Sequence, residues 1–187
     1  ERDGVKLIHG TVALRLTVKR FNDTIQLAMD SGTVETTGGV VVGTVMRQYL
    51  GKDKTLEITG AVEGWMLKLT LDGSKALKPA PWDDYVLGVS RQRTLFKDKS
   101  AKPGDELSYR SFEPTINLVI TSKAAVKDYE MVEAFPGKAK RKLLRVETRV
   151  DKIQNLQLPP HIAWLDEEFQ PVRSQFEVPG LGKVVLY

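Results

Sequence analysis

The chain has 187 residues, with 28 Lys and Arg against 24 Asp and Glu for a net charge of +4, two histidines and no cysteine. That length can bury a core without metal or disulfide support, and 41% hydrophobic with 28% charged residues is a globular composition that excludes disorder along the length. The lack of cysteine excludes a thiol nucleophile, a disulfide framework and a cysteine-based zinc or iron–sulfur site, and the modest, sign-mixed charge excess does not by itself call for a polyanion.

Alternation with period two dominates the first part of the chain. In "KLIHGTVALRLTVKR", Ile8, Val12, Leu14, Leu16 and Val18 fall on one face, and His9, Thr11, Arg15, Thr17 and Lys19 on the other. This predicts a long strand with one buried side. "TIQLAMD" repeats the pattern through Ile25, Leu27 and Met29. Gly38-Gly39 between β-branched runs predicts a hairpin turn, and Glu63-Gly64 predicts another, because glycine supplies the positive φ that tight hairpin turns require. The first 73 residues therefore read as an antiparallel meander.

Pro79 and Pro81 end that texture. Beyond them Trp82, Tyr85, Val86, Val89 and Phe96 recur at helical spacing, predicting one amphipathic helix near residues 82–97. Asp83 and Asp84 are expected at its N-terminus and Arg91, Arg93 and Lys97 toward its C-terminus, as the helix dipole favours. "KPGDE", Lys102–Glu106, reads as a turn. Strands follow in "TINLVITSKAAVKDYEMVEAF", "KLLRVETRV", "HIAWLD", "VRSQFEV" and "LGKVVLY", with "PGKAKRK" as a basic hairpin tip.

No Ser- or Gly-rich linker and no repeat period appears. The expected fold is mainly β: a single domain over 1–187 built on a large curved antiparallel sheet, open and half-barrel-like, with the one helix packed on it. Halves 1–78 and 79–187 would be joined through that helix. No apolar run approaches the roughly 18 to 20 residues of a membrane helix. The opening Glu1–Gly4 is charged and there is no initiator Met, so a mature fragment or excised domain is expected.

Candidate chemistry is sparse. His9 lies on the polar face of a strand and His161 follows Pro159-Pro160; far apart and without HExxH spacing, they suggest neither a nucleophile's base nor a metal site. Asp83-Asp84 and Glu167-Glu168 are adjacent pairs, which in a strand point to opposite faces and do not flank a cleft. "PGLGK", Pro179–Lys183, lacks the helix of a phosphate cradle and reads as a β turn. No catalytic residue, metal ligand or cofactor site is expected.

Two surface features remain. Lys138, Lys140, Arg141 and Lys142 form a possible anion patch; without interleaved aromatics it reads first as a solvated loop, and nucleic acid or an acidic glycan is the third-ranked partner. Trp65, Leu67, Trp82, Val86, Phe112 and Trp164 could line the concave face of an open sheet, as ordinary core or as the wall of a site for a lipid-like hydrophobic ligand.

Three longer phrases carry a resemblance: "GVSRQRTLFKDKSAKPGDELSYRSFEPTINLVITSKAAVKDYE", "KRKLLRVETRVDKI" and "IAWLDEEFQPVRSQFEVPGLGKVVLY". Their order of helix, "KPGD" turn, strand pairs and closing "VVLY" is similar to the non-catalytic region that precedes the catalytic core in bacterial transglutaminase-like proteins, and to secreted β proteins of unknown function. It covers roughly residues 80–187, in texture rather than chemistry. The resemblance implies an open curved sheet like that of periplasmic lipoprotein carriers, in an extracytoplasmic protein of the periplasm or cell envelope. It also implies a non-enzymatic accessory module with a downstream catalytic domain as partner. The family's Cys–His–Asp triad transfers to no position here, because the chain has no cysteine. The alternative is a periplasmic carrier that holds a lipid-like ligand in the concave face.

Overall fold

In the computed structural model, residues 4–20, 23–50, 54–153, 157–178 and 182–187 are described, and the side-chain surroundings of 18–20, 23–25 and 178 are not. The chain forms two compact units. Residues 1–92 and 111–119 make the first, and 93–110 with 120–187 make the second.

The first unit carries a meander in chain order: β1 (Leu7–Arg20), β2 (Asp23–Thr36), β3 (Val41–Tyr49), β4 (Thr55–Glu63), β5 (Met66–Leu71) and β6 (Lys75–Ala76), with β7 (Ala80–Pro81) also pairing with β5. All pairings are antiparallel. Both expected glycine turns are present, with Gly39 at φ 86° and Gly64 at φ 57°. The second loop is Gly64-Trp65, one residue later than expected, because Glu63 and Met66 pair across it. The core packs Val41, Leu67, Leu69, Ala80, Trp82 and Val86 with Phe112 and Val119. Trp82 meets Phe112 at 5.7 Å between ring centroids, tilted by 58°, a favourable aromatic geometry.

The helix is shorter than expected: α1 spans Val89–Asp98, not 82–97. Trp82 is diverted because its N–H bonds Trp65 O at 2.9 Å, prolonging the sheet edge that Ala80 and Pro81 begin. Asp83 then accepts the Tyr85 N–H at 2.9 Å, an Asx-type turn that competes with helix. Asp83 and Asp84 therefore lie before the helix, whose first turn holds no acid of its own. Lys97 does sit in the last turn.

The second unit holds most of a six-stranded antiparallel sheet, ordered β13-β12-β11-β10-β9-β8. These strands are β8 (Glu106–Glu113), β9 (Leu118–Glu133), β10 (Lys140–Val150), β11 (His161–Leu165), β12 (Pro171–Val178) and β13 (Gly182–Leu186). The five expected strand runs become β9 to β13. β8 is additional; its apolar residues Leu107, Tyr109 and Phe112 stand between charged and Ser residues and break strict alternation. The Lys102–Glu106 turn has Gly104 at φ 95°, whereas the turn read at Pro179–Lys183 lies largely outside the described residues. Ala101, Ala124, Val126, Leu144, Val146 and Leu165 form this unit's core, with Phe96, Tyr109 and Phe169 against it. A bulge between Leu144 and Val146 shifts the β9–β10 register. The fold class is thus as expected, mainly β and antiparallel with one helix; the strands divide into two sheets and form no closed barrel.

Candidate functional site

The two 14-residue strands β1 and β2 form a long hairpin with two unlike faces. Register places Leu14 opposite Met29, Leu16 opposite Leu27 and Val12 opposite Ser31, so the apolar side chains share one face. The other face holds a polar network. Arg15 pairs with Asp30 at 2.6 Å, Tyr49 Oη donates to Asp30 at 2.7 Å, and the Arg15 guanidinium stands 5.1 Å from the Tyr49 ring centroid. Hydrogen bonds from Arg15 and then Tyr49 hold the Asp30 carboxyl below its ordinary range, and the bond to Asp30 raises the Tyr49 hydroxyl.

Among the described residues, one end of the apolar face is covered. A Cβ at Gly10 would lie 2.9 Å from Val89 Cβ, so the start of α1 rests on β1 there. Beyond Gly10 the face is open: Val12 is 48% and Leu27 45% exposed, with Leu14, Leu16 and Met29 half-buried. An amphipathic hairpin with an uncovered apolar stripe is the type of surface that marks an interaction site.

The covered end has its own device. The Val89 N–H donates to Thr33 Oγ1 at 2.8 Å and the Ser90 N–H to Glu35 Oε1 at 2.9 Å, while Thr33 Oγ1 donates to the same Glu35 oxygen at 2.7 Å. Glu35 is 1% exposed. Side chains of β2 thus satisfy two of the helix's orphan donors and set a carboxylate at its positive end. The neighbouring cavity of about 40 Å³, lined by Thr33, Thr44, Val86 and Phe112 among others, has room for about one water. The arrangement anchors a helix; it presents no substrate pocket.

The residues singled out from sequence fall in three places. Leu67, Trp82, Val86 and Phe112 come together, but as packed core of the first unit. Trp65 lies on the β4–β5 turn at 71% exposure. Trp164 belongs to the second unit, is 7% exposed and donates Nε1–H to Glu130 at 2.9 Å. Lys138, Lys140, Arg141 and Lys142 are exposed around the β9–β10 hairpin end, with Lys142 Nζ 5.1 Å from the Tyr129 ring centroid. His9 is exposed on β1 in the first unit; His161 opens β11 in the second, 6.2 Å from the Phe176 ring. Among the described residues no cluster of three potential metal ligands occurs. The hairpin stripe was written in the alternation of Leu14, Leu16, Leu27 and Met29, but sequence alone does not tell which buried-type face lacks a cover.

A second concavity of about 930 Å³ lies along β8, β9 and β10 of the second unit, with Lys123, Lys127, Glu147 and Arg149 in its lining. Its charges are mostly neutralised: Lys123 pairs with Asp151 at 2.8 Å and Arg149 with Glu147 at 2.7 Å. The bond from Arg149 holds the Glu147 carboxyl below its ordinary value of 4.5. The folded state therefore binds this proton less readily than the unfolded chain, so Glu147 contributes stability above about pH 4.5 that is lost as pH falls through its lower folded value. Urea unfolding of Glu147→Gln should accordingly show a smaller loss of stability across that acid window than the parent chain. An unchanged acid slope would contradict the assignment.

No protein-family model matches the chain, and no curated protein matches it. Among solved structures, it is similar to the crystal structure of a β-barrel-like protein of the domain of unknown function DUF1849 from Brucella abortus. The TM-score is 0.60 at 12% identity, covering 94% of this chain and 80% of that one. At that identity the likeness concerns fold, and it indicates no catalytic family. Among the described residues no helix is long and apolar enough to cross a membrane.

Proposed function

We propose that the chain is a non-enzymatic binding module, an accessory domain of an extracytoplasmic transglutaminase-like protein, which docks the catalytic part of the same protein against the open face of β1 and β2. The observation that carries this reading is the uncovered stripe of Val12, Leu14, Leu16, Leu27 and Met29. Such a stripe, backed by the polar Arg15–Asp30–Tyr49 network, is held in one orientation and suits a flat protein surface. As the edge strand of its sheet, β1 also offers unpaired backbone groups for strand addition. The resemblance of residues 80–187 favours a transglutaminase-like catalytic part as the partner, and the cysteine-free sequence is consistent with the non-enzymatic role.

The second reading, a periplasmic carrier of a lipid-like ligand, takes the same stripe as a wall for an acyl chain. Its original aromatic lining is closed by self-packing of Leu67, Trp82, Val86 and Phe112. Placing the photo-cross-linker p-benzoylphenylalanine at position 27 of the parent protein separates the two. Cross-links into the catalytic part support the docking module. Adducts with lipid alone would transfer the stripe to the carrier, and absence of any adduct would refute both. The purified 187-residue chain should show no acyl transfer; detectable turnover would refute the non-enzymatic reading.

A further inference from the structure

The face of the six-stranded sheet opposite Val146 and Leu165 carries an arginine with an unusual set of neighbours. Register places Trp164 between Arg145 on β10 and Arg173 on β12, while Val146, Ala163 and Leu165 follow the other face. Arg145 has counter-ions, Glu130 at 3.5 Å and Glu147 at 3.6 Å. Arg173 has none among the described residues. Its guanidinium carbon instead lies 5.0 Å from the Trp164 ring centroid and 5.6 Å from that of Tyr187. Trp164 is fixed in turn by Glu130, and Tyr187 stacks on Phe135 at 5.8 Å and 25°.

Arg173's own hydrogen bonds are incomplete. Nη1 donates to Glu133 O at 3.2 Å, Nε is buried with no acceptor, and Nη2 makes no bond to any described residue. A guanidinium ordered by two aromatic rings has already lost much of its rotamer freedom, and its Nε–Nη2 edge has the spacing of a two-oxygen acceptor. A buried donor left unpaired carries an uncompensated desolvation cost, which an incoming acceptor would recover. Beside it, Phe135 and Tyr187 remain 51% and 48% exposed, a stacked pair whose open surface suits a flat ring.

We propose that Arg173 anchors a binding site for an oxyanion carried on a flat ring, with Phe135 and Tyr187 as the ring's platform and Trp164 as the guanidinium's support. The ligand's oxyanion meets Nη2, which makes no bond to any described residue, while its ring rests on Phe135 and Tyr187. The site lies on the second unit alone. Carboxylate and phosphate share the required two-oxygen edge, and two probes distinguish them.

The test is titration of the purified chain with sodium benzoate and with phenyl phosphate, read by the Arg173 Nε–H resonance and by Trp164 emission. A Trp65→Phe background removes the most exposed competing indole, and Trp82 stays constant in the core. Saturable shifts by benzoate assign a carboxylate ligand; saturable shifts by phenyl phosphate alone assign a phosphate. Arg173→Lys should weaken the bound probe by about tenfold, since lysine keeps the charge and loses the fork. Phe135→Ala, at an exposed position, should weaken it about threefold with the backbone spectrum intact. Lack of a saturable shift with either probe, or binding unchanged in both variants, would overturn the proposal.

Discussion

Glu35→Ala should destabilise the protein by about 2–4 kcal/mol in urea unfolding, more than any surface change. The carboxylate is 1% exposed and accepts from both Ser90 N–H and Thr33 Oγ1. Its removal leaves a part-buried amide at the helix N-terminus without its acceptor, and the helix dipole without its compensating charge. The other carboxylate oxygen, Oε2, has no partner, so part of the gain is already offset by desolvation. Glu35→Gln, which removes the charge and keeps the size, should therefore cost less than Glu35→Ala. Gly88→Ala should act in the same direction, because a Cβ there would lie 2.3 Å from Glu35 Cδ. Glu35→Ala and Gly88→Ala together should cost less than their sum, since both release the same contact. A loss below about 0.5 kcal/mol for Glu35→Ala would mean that α1 is held by packing alone.

This cap also shows where sequence reasoning stops. Sequence spacing places the negative charge that a helix N-terminus favours next to the helix, at Asp83 and Asp84. The chain supplies it instead from β2, 55 residues before Ser90. Alternation in Leu14, Leu16, Leu27 and Met29 is local and survives in the register of β1 and β2. So do the turns at Gly39, Gly64 and Gly104, because glycine adopts a positive φ without a Cβ clash. A strand-to-helix capping contact leaves no periodic trace, and neither does the edge pairing that draws Trp82 out of the helical pattern. Aromatic residues are legible as apolar but not as neighbours: Trp82 and Phe112 meet at a tilt in one unit while Trp164 meets Arg173 in the other. The guanidinium site was invisible for the same reason, since Phe135, Trp164, Arg173 and Tyr187 share no spacing.

Leu67→Ala and Trp65→Ala, two residues apart, should differ by several kcal/mol, and the difference bears on function. Leu67 is 0% exposed in a cluster with Leu69, Trp82 and Val86, so truncation removes packed methyl groups and leaves a cavity, costing about 2–5 kcal/mol. Trp65 is 71% exposed on its turn, and its loss should stay within about 0.5 kcal/mol. If the aromatic set were the empty wall of a lipid site, Leu67→Ala would alter ligand uptake with little effect on unfolding, because an unfilled pocket has few contacts to lose. A packed core gives the opposite pattern: a large loss in urea midpoint, and no hydrophobic probe bound by the parent chain at this place. Leu27→Asp completes the comparison on the hairpin stripe, where a charge at a 45%-exposed position should leave stability nearly unchanged and, on the proposed docking role, abolish association with the catalytic part. Stability and association then separate by position, core residues affecting the first and stripe residues the second, as a binding module requires.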